Sequence, residues 1–404
     1  MELFSLGDLY MSDFLPAAGS PHTQKVPLTL MLAPESGLVQ LADTPNFDDM
    51  YRHYWYRSGT NESMVEELKQ IATSSSRLMR LAQGDIFVDI ACNDGTLLSF
   101  IDPSIKRVGF DPAHNTYEEA DKRRFDLFVN DYFSAQAYHE KFSQKAKVVT
   151  TIAMFYDLED PHAFVEEVKE IMDDDGLWIV QMSYLPLMLK QLAFDNICHE
   201  HLEYYSLGAM KYLLDRHGLE IVDCQLNDVN GGSFRVYIRK TGADPAAFAT
   251  APYRDVARYR VDSILSHEAT LKLQDPQTYI DFYNRSVALR DQTLAFLKAE
   301  KAKGKKIWAY GASTKGNTLL QWWGIDNTLI DAIAERQPMK YGLKTVGTNI
   351  PIASDEDMRE AKPDYLFVLP WHFIESFVRR EQEFLNRGGK FIVPCPVFEV
   401  IGNK

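Results

Sequence analysis

An alternation of short apolar runs with helical patterns between residues 86 and 239 constrains the fold more than any other feature of the sequence. Apolar runs with the character of buried strands occur at 86–91, 107–111, 148–155, 177–182, 220–226 and 234–239. Helical patterns separate most of these runs, and such alternation predicts a parallel sheet with crossover helices. Only NDVNGGS separates the last two runs, so these two strands are expected to pair antiparallel.

The regions on either side predict two further domains. Residues 1–80 begin with a stretch rich in Pro, Gly and Ser and end in a helical pattern that starts after Asn61, a residue type that caps helix N-termini. A long helical stretch at about 255–303 precedes a second alternation of strands and helices. We therefore expect an N-terminal domain at 1–80, a central α/β domain at 81–245, and a helical linker with a second Rossmann-like α/β domain at 246–404.

Composition argues against several classes of protein. The formal net charge of −14 disfavours a general nucleic-acid binder, because phosphate contacts need a basic footprint. The four cysteines are scattered and form no CxxC, so neither a disulfide framework nor a structural zinc site is expected, and a reducing compartment is the default. The first residues lack the pattern of a signal peptide, and no apolar run is long enough to span a membrane. We expect a cytoplasmic protein with no membrane partner.

The turn after the first strand of the central domain carries the first chemical signal. Asp89 ends the strand, Asn93, Asp94 and Gly95 form the turn, and a helix is expected to start near Thr96. In open α/β sheets, ligands bind where strand ends meet the following helices. The turn lacks GxGxxG, which disfavours a dinucleotide, and its acidic character suits S-adenosylmethionine (SAM). The alternative is an ordinary strand–turn–helix with a capping Asp.

Two later turns support the same interpretation. Asp111 and Pro112 follow the second strand, where the Asp111 carboxylate could accept both ribose hydroxyls. Asp131 and Phe133 lie in NDYFS, after a further strand that is expected before the run at 148–155, and adenine could be hydrogen bonded and stacked there. The three motifs in this order favour cofactor binding over a purely structural role.

Phe155 and Tyr156 follow the strand at 148–155, where their rings could face the SAM sulfonium in a cation–π arrangement. Packing of these two rings in the core is an equally open interpretation.

The segment AFDNICHEHLEYYSL carries the second signal, because it places His199, Glu200 and His201 side by side. Histidine exchanges protons near neutral pH, which favours a catalytic role. A metal site is the first alternative, since two imidazoles and a carboxylate are metal ligands, but no other His or Cys cluster completes a coordination shell. A purely structural role for these side chains is the second.

The third signal lies in the C-terminal region. Lys315 lies in the strand-to-helix turn GASTKGN, which has the form of an anion-holding turn without being a P-loop. Arg336 and Lys340 follow the next strand and could neutralise a diphosphate, or could simply form a solvated face.

VDIACNDGTLL, GFDPAHN, FDNICHEHLEYYSL, NGGSFRVYI and YGASTKGNTLLQ together resemble the sugar C-methyltransferases of deoxysugar biosynthesis. These enzymes use SAM to methylate nucleotide-linked 4-keto-6-deoxyhexoses. The resemblance covers nearly the whole chain. It implies a small N-terminal zinc-binding domain, a class I SAM-methyltransferase Rossmann-like domain, and a C-terminal Rossmann-like domain that helps to hold the nucleotide-sugar. We expect a monomer or homodimer.

The resemblance also implies roles for individual residues. His201 matches the base that would remove the proton from C3 of the sugar, with Glu200 orienting or charging its imidazole, and Tyr56 matches a residue that closes over SAM. The catalytic set would also include Cys198 and His199. The substrate would contact Asn230, Gly232, Ser233, Lys315, Arg336 and Lys340.

This sequence departs from the family in three places. Ala33 and Ser36 stand where the second zinc-binding cysteine pair is expected, and the first pair is missing too, so no metal is expected. Cys198 replaces a tyrosine and Asp157 replaces a histidine of characterised members. Two alternatives therefore stay open. One is methylation of an oxygen or nitrogen, with His201 deprotonating a hydroxyl, and the other is a non-catalytic protein that kept the fold.

Overall fold

The computed structural model describes residues 1–21, 24–44, 51–52 and 54–403. Among the described residues, the N-terminal region forms four strands and an 18-residue helix. Asn61 caps the helix by accepting from the amides of Ser63 and Met64, which confirms the predicted helix start. These elements are β1 Glu2–Leu9, β2 Phe14–Pro16, β3 Val26–Ala33, β4 Leu38–Leu41 and α1 Glu62–Met79.

The central sheet has seven strands in the order β11–β12–β9–β8–β5–β6–β7. All neighbours are parallel except β12, which pairs antiparallel with both β9 and β11. The expected antiparallel pair at the end of the sheet is therefore confirmed. The strands are β5 Ile86–Ile90, β6 Lys106–Phe110, β7 Leu127–Val129, β8 Ala146–Ile152, β9 Met172–Ser183, β11 Leu219–Asn227 and β12 Ser233–Lys240, with β10 Glu203–Tyr204 lying outside this sheet.

Helices cover both faces of this sheet because its strands are apolar on both sides. α1 packs on one face, where Ile71 and Leu68 meet Phe87 and Leu97. The later helices of this region are α2 His114–Glu119, α3 Ala135–His139, α4 Pro161–Ile171, α5 Leu185–Lys190 and α6 Leu207–Arg216. Among them, α3, α4 and α6 pack on the other face, where their buried residues form a cluster with Val88. The helix expected to start near Thr96 is instead a single 3₁₀ turn, Leu98–Phe100.

The short strand β10 connects the central domain to the N-terminal sheet. Glu203 and Tyr204 of β10 pair antiparallel with Gln40 and Val39 of β4, which completes a four-stranded sheet in the order β1–β3–β4–β10. The segment that contains His199 and His201 therefore runs directly into the N-terminal sheet.

The C-terminal region begins with two helices and continues as a second α/β unit. Its sheet has the order β16–β14–β13–β17–β18–β19, parallel except for the last pair. The predicted long helix is interrupted at 271–275 and resumes at Pro276. The elements are α7 Ala251–Thr270, α8 Pro276–Ala302, β13 Ile307–Tyr310, α9 Thr314–Trp323, β14 Ile333–Glu335, β15 Leu343–Thr345, β16 Ile352–Ser354, α10 Asp355–Ala361, β17 Tyr365–Val368, α11 Ile374–Arg380, α12 Gln382–Asn386, β18 Lys390–Val393 and β19 Glu399–Ile401.

The N-terminal strands pack against the C-terminal unit rather than standing alone. β2 pairs with β15, and Leu30 and Leu32 share one apolar cluster with Ile307 and Phe367. The molecule thus has a class I methyltransferase sheet, a second Rossmann-like α/β unit and a small N-terminal sheet, which confirms the predicted fold class. No helix within the described ranges is both long and apolar enough to cross a membrane.

Candidate active site

A cavity of about 2040 Å³ lies between the central sheet and the C-terminal unit. The carboxyl ends of β5, β6 and β8 form one end of it, and the turn after β13 forms the other. This placement follows the rule that ligands bind at the carboxyl ends of strands in open α/β sheets. The residues predicted from sequence that line it are Tyr56, Asp89, Asn93, Asp111, Pro112, Asp131, Phe133, Tyr156, Glu200, His201, Asn230, Lys315, Arg336 and Lys340.

Asp89 and Asp111 are two buried carboxyl groups on adjacent strands at the cofactor end of the cavity. Asp89 accepts a hydrogen bond of 2.7 Å from the Thr150 hydroxyl, and burial together with the Asp111 charge raises its pKa to about 7. Asp111 accepts the amides of Asn93 at 2.9 Å and Ala113 at 3.0 Å, one on each oxygen. Each Asp111 oxygen keeps a second lone pair, which is what recognition of two ribose hydroxyls requires.

The side chains of Asn93 and Asp94 hold the segment around Tyr56 in place. Asn93 accepts from the Ser58 amide at 3.0 Å and donates to the Tyr56 carbonyl at 3.1 Å, and Asp94 accepts from the Gly59 amide at 3.0 Å. Tyr56 lines the cavity as expected for a residue that closes over SAM. Asp94 contributes to the site by positioning that segment.

Gly95 and Thr96 do not line the cavity. Gly95 has a φ of +74°, and a Cβ at this position would lie 2.1 Å from the Phe125 ring. The space beside Gly95, expected to admit a ligand, is therefore filled by Phe125. The Thr96 hydroxyl donates to Asp94 at 2.6 Å and so stabilises the turn.

The aromatic residues expected near SAM lie in two environments. Phe133 lines the cavity and packs edge-on against Phe110, with ring centroids 5.2 Å apart. Tyr156 also lines the cavity, whereas Phe155 is fully buried and packs against Trp178 in the core. Asp131, whose side chain is 62% exposed, forms an ion pair of 3.1 Å with Arg52 at the cavity rim.

The position and tautomer of His201 are set by Asn196. His201 Nδ1 lies 2.9 Å from the Asn196 carbonyl oxygen, so Nδ1 carries the hydrogen and Nε2 keeps its lone pair. Burial and the positive charge of Lys315 lower the pKa of His201 to about 3. The resemblance implies that Glu200 is the partner of this imidazole. In the structure, the His201 amide donates to the Cys198 carbonyl, and the turn formed in this way places the imidazole against the Asn196 carbonyl instead.

Three acidic side chains lie in the same cavity as this imidazole. Asp157, Asp195 and Glu200 line it, and each keeps one carboxyl oxygen with no hydrogen-bond partner among the described residues. Burial raises the pKa of all three, the neighbouring Glu200 raises that of Asp157 further, and the Lys315 charge lowers the pKa of each. Burial therefore disfavours the charged forms of these carboxyl groups.

Cys198 and His199 lie behind this group rather than on the cavity wall. His199 Nε2 donates to the Val26 carbonyl in β3 at 3.0 Å, and burial lowers the pKa of its imidazole. Burial and the Glu200 charge raise the pKa of the Cys198 thiol well above its usual value. His199 thus connects the segment that contains Glu200 and His201 to the N-terminal sheet.

The C-terminal unit places two lysines and three arginines in the cavity, among them the predicted Lys315, Arg336 and Lys340. Lys315, in the first turn of α9, donates to the Asn196 side-chain oxygen. Lys340 is buried, donates to the Ala312 carbonyl at 2.8 Å and lies 4.6 Å from the centroid of the Phe14 ring. Arg336 is exposed at the rim.

The NGGS turn brings only its first residue to the cavity. Asn230 lines the wall with a φ of +53°. Gly232 packs against Leu187, where a Cβ would lie 2.9 Å from the Leu187 Cβ, and the Ser233 hydroxyl donates to the Val229 carbonyl at 2.9 Å. Gly232 and Ser233 therefore shape the turn that presents Asn230.

The N-terminal sheet offers no ligands for zinc. Ala33 ends β3 and Ser36 lies in the following turn, at the positions where the family has cysteines. In the part of the chain that the structure describes, no group of three or more His, Cys, Asp or Glu side chains could hold a metal ion. The donor set does not fit zinc, and no step of the chemistry is assigned to a metal.

Sequence reasoning missed several residues of this site. Tyr54, Asp195 and His372 line the cavity, and the Asn196 carbonyl accepts from His201 Nδ1 without lining it. Burial and Lys315 lower the pKa of His372 to about 3. His372 lies in VLPWHF, shortly after β17. Its place after a strand of the second sheet could have marked it as a candidate cavity residue. Nothing local distinguishes Asn196.

The fold and the cavity define a class I methyltransferase joined to a second Rossmann-like unit, and comparison with known proteins gives the same class. A family model described as a methyltransferase domain matches residues 56–223, and one described as the C-methyltransferase C-terminal domain matches residues 228–396. C-methyltransferase NovU from Streptomyces niveus is 30% identical over 378 residues, covering 93% of this chain and 87% of NovU. The chain belongs to the C-methyltransferase family, and it is a SAM-dependent enzyme.

Partial likenesses to solved structures also occur. A SAM-dependent methyltransferase from Clostridium acetobutylicum is 12% identical with a TM-score of 0.36, covering 44% of this chain and 92% of that protein. Magnesium protoporphyrin IX methyltransferase from Synechocystis is 12% identical with a TM-score of 0.33, covering 45% of this chain and 79% of that protein. Both likenesses are confined to less than half of the chain.

Proposed function

We propose that this C-methyltransferase methylates the carbon next to the ketone, C3, of a nucleotide-linked 4-keto-deoxysugar, with His201 as the base. The hydrogen bond from His201 Nδ1 to the Asn196 carbonyl carries the proposal, because it leaves the Nε2 lone pair available. His201 also lines the cavity beside Tyr156, with ring centroids 4.3 Å apart. A neutral imidazole facing a cavity is the arrangement that carbon deprotonation needs.

The residues at the other end of the cavity fit SAM. Asp111 has free lone pairs for the ribose hydroxyls, Phe133 offers a ring face or edge to adenine, and Tyr56 and Tyr156 add aromatic walls. Bound SAM supplies an electrophilic methyl group. The chain's own contribution is to hold the reacting carbon in line with it and to exclude water, which is where enzymes gain much of their rate advantage.

Proton removal is the step in which this chain takes a direct part. His201 Nε2 accepts the proton from C3, the C–H electron pair forms a C3–C4 double bond, and the carbonyl electron pair moves to the oxygen. The resulting imidazolium is held by the Asn196 carbonyl, which continues to accept from Nδ1. Burial raises the pKa of Asp157 and Glu200, which disfavours carboxylate charges that would oppose the build-up of negative charge.

The size and charge of the cavity support a nucleotide-linked substrate. The cavity continues from His201 to the turns that follow β13 and β14, a length that a free monosaccharide would not fill. Arg336 and Arg379 line this far end, and guanidinium groups bind phosphate oxygens through bidentate hydrogen bonds. A substrate with its sugar at His201 and its diphosphate toward these arginines matches the residues at both ends of the cavity.

Isotope exchange tests the proposal. The protein is incubated in D₂O with a thymidine-diphosphate 4-keto-6-deoxyhexose and without SAM, and deuterium at C3 is followed by NMR. The proposal predicts exchange at C3 far above the rate without enzyme, whereas methylation of a hydroxyl or amine needs no carbon deprotonation. A wild-type protein that methylates this sugar but gives no exchange at C3 overturns the enolate mechanism.

A further inference from the structure

Asn196 contacts both the base and a cation that comes from a different part of the chain. Its backbone carbonyl accepts from His201 Nδ1 at 2.9 Å, and its side-chain oxygen accepts from Lys315 Nζ. His201 belongs to the central domain, whereas Lys315 lies in the first turn of α9 in the C-terminal unit. One residue therefore sets the distance between an imidazole base and an ammonium group.

The ammonium group of Lys315 has donors to spare. Its hydrogen bond to Asn196 uses one of three N–H groups, and the structure gives it no ion pair with any described carboxylate. Lys315 lines the same cavity as His201 and His372, and its charge adds to burial in lowering the pKa of both imidazoles. These effects place the charge close to the reacting end of the cavity.

Among the described residues, no carboxyl group forms an ion pair with Lys315. Burial raises the pKa of Asp157, Asp195 and Glu200, while the Lys315 charge lowers it. A cation held in place by an uncharged amide oxygen is suited to a site where negative charge appears during the reaction. Such a group stabilises the transition state more than the bound substrate.

We propose that Lys315 is a catalytic residue that donates a hydrogen bond to the C4 ketone oxygen and stabilises the enolate oxygen formed there. The inference rests on the proposed function. In the step it assists, the C3–H bond breaks, the proton goes to His201 Nε2, and the electron pair ends on the oxygen beside Lys315. The proton stays on His201 and the lysine remains protonated throughout, so the step needs no further reactant.

A diphosphate contact is the competing role for Lys315. The bond to Asn196 argues against it, because Asn196 also holds the base, and the base must reach the sugar ring. Arg336 and Arg379 line the cavity after β14 and on α11 and are available for phosphate oxygens. The C-terminal unit would then serve the reaction as well as substrate binding.

C3 exchange in D₂O, with the same thymidine-diphosphate 4-keto-6-deoxyhexose and no SAM, tests the inference in the full-length protein. Lys315→Met and Lys315→Gln remove the charge, Lys315→Arg keeps it, and Lys298→Met on the exposed face of α8 is the control. SAM affinity of each variant, measured by calorimetry, reports whether the fold is intact.

Both neutral variants are expected to bind SAM and the sugar nucleotide with near-normal affinity and to exchange C3 at least about 100-fold more slowly at saturating substrate. Lys315→Arg is expected to recover part of the rate. Normal exchange with weakened substrate affinity would make Lys315 a phosphate contact and overturn the inference. Loss of SAM affinity in both neutral variants would give Lys315 a structural role and would overturn the inference as well. A wild-type protein that methylates this sugar but gives no exchange at C3 would instead reject the proposed function.

Discussion

The Nδ1 atom of His201 lies 2.9 Å from the backbone carbonyl oxygen of Asn196. A carbonyl oxygen can only accept, so this contact fixes the imidazole tautomer and keeps the lone pair on Nε2. Because the partner is a backbone group, it carries no charge and does not change with pH. It holds the base in one orientation and raises the pKa of the imidazole, whereas burial and Lys315 lower that pKa by more.

Activity should not follow the titration of an ordinary histidine. The pKa of His201 in the folded protein is lowered to about 3, so the base stays unprotonated throughout the neutral range. The rate of C3 exchange at saturating substrate is therefore expected to show no inflection near about pH 6.5, the usual value for histidine. A loss of rate centred between about pH 6 and 7 would contradict the lowered pKa.

Stability should depend on pH through the same residue. Between about pH 6.5 and about 3 the unfolded chain binds a proton at His201 that the folded protein does not, so stability falls as pH falls through this window. The free energy of unfolding, measured with urea, should fall less steeply with decreasing pH in His201→Gln than in the wild type, by up to about 1.4 kcal/mol per pH unit. His267→Gln, at an exposed site on α7, serves as the control and should match the wild type.

Asp111→Ala is expected to weaken SAM binding. The substitution removes the acceptor for two ribose hydroxyls and also leaves the Asn93 and Ala113 amides without their partner. Hydrogen bonds to a charged group contribute about 1.5–3 kcal/mol each, so the dissociation constant should rise at least about 10-fold by calorimetry. Asp102→Asn, in an exposed turn, is the control. Unchanged affinity in Asp111→Ala would show that this carboxylate does not hold the ribose.

Gly95→Ala should destabilise the cofactor turn by steric overlap. A Cβ there would lie 2.1 Å from the Phe125 ring at a φ of +74°. Gly84 has a φ of +90° with no atom within 4 Å of its added Cβ, so Gly84→Ala isolates the backbone strain alone. The melting temperature and SAM affinity of Gly95→Ala should both fall below those of Gly84→Ala, and equal values for the two variants would contradict this packing.

The purified protein should contain no stoichiometric zinc. The N-terminal sheet has Ala33 and Ser36 where cysteines would be needed, and its apolar residues pack directly against the C-terminal unit. Elemental analysis should give well below one zinc per chain, and a chelator should leave the melting temperature unchanged. One tightly bound zinc per chain would show that other residues have taken over the site.

Local sequence patterns predicted the central sheet and the positions of its ligand-binding turns. Six of the seven strands overlap a predicted apolar run, whereas β7 overlaps none, and Asp89 and Asp111 lie at the ends of two of these runs. The antiparallel end of the sheet follows from the short connection between β11 and β12. These features depend on neighbouring residues, which is why the sequence specifies them.

Contacts between distant segments could not be predicted in the same way. The pairing of β10 with β4, the Phe125 ring against Gly95 and the bond from Lys315 to Asn196 each join residues that are far apart in the sequence. Asn196 has no local pattern that marks it, because its role depends on two side chains that the fold brings to it. For the same reason, the sequence did not predict that Asn196, and not Glu200, contacts the His201 imidazole.

The most direct test of His201 as the base compares C3 exchange in wild-type protein and His201→Gln, without SAM, in D₂O. Glutamine keeps an amide N–H that can bond to the Asn196 carbonyl but has no basic nitrogen. We expect His201→Gln to bind SAM normally and to lose C3 exchange and turnover, while the wild type exchanges readily. Near-normal exchange in His201→Gln would contradict the assignment of His201 as the base.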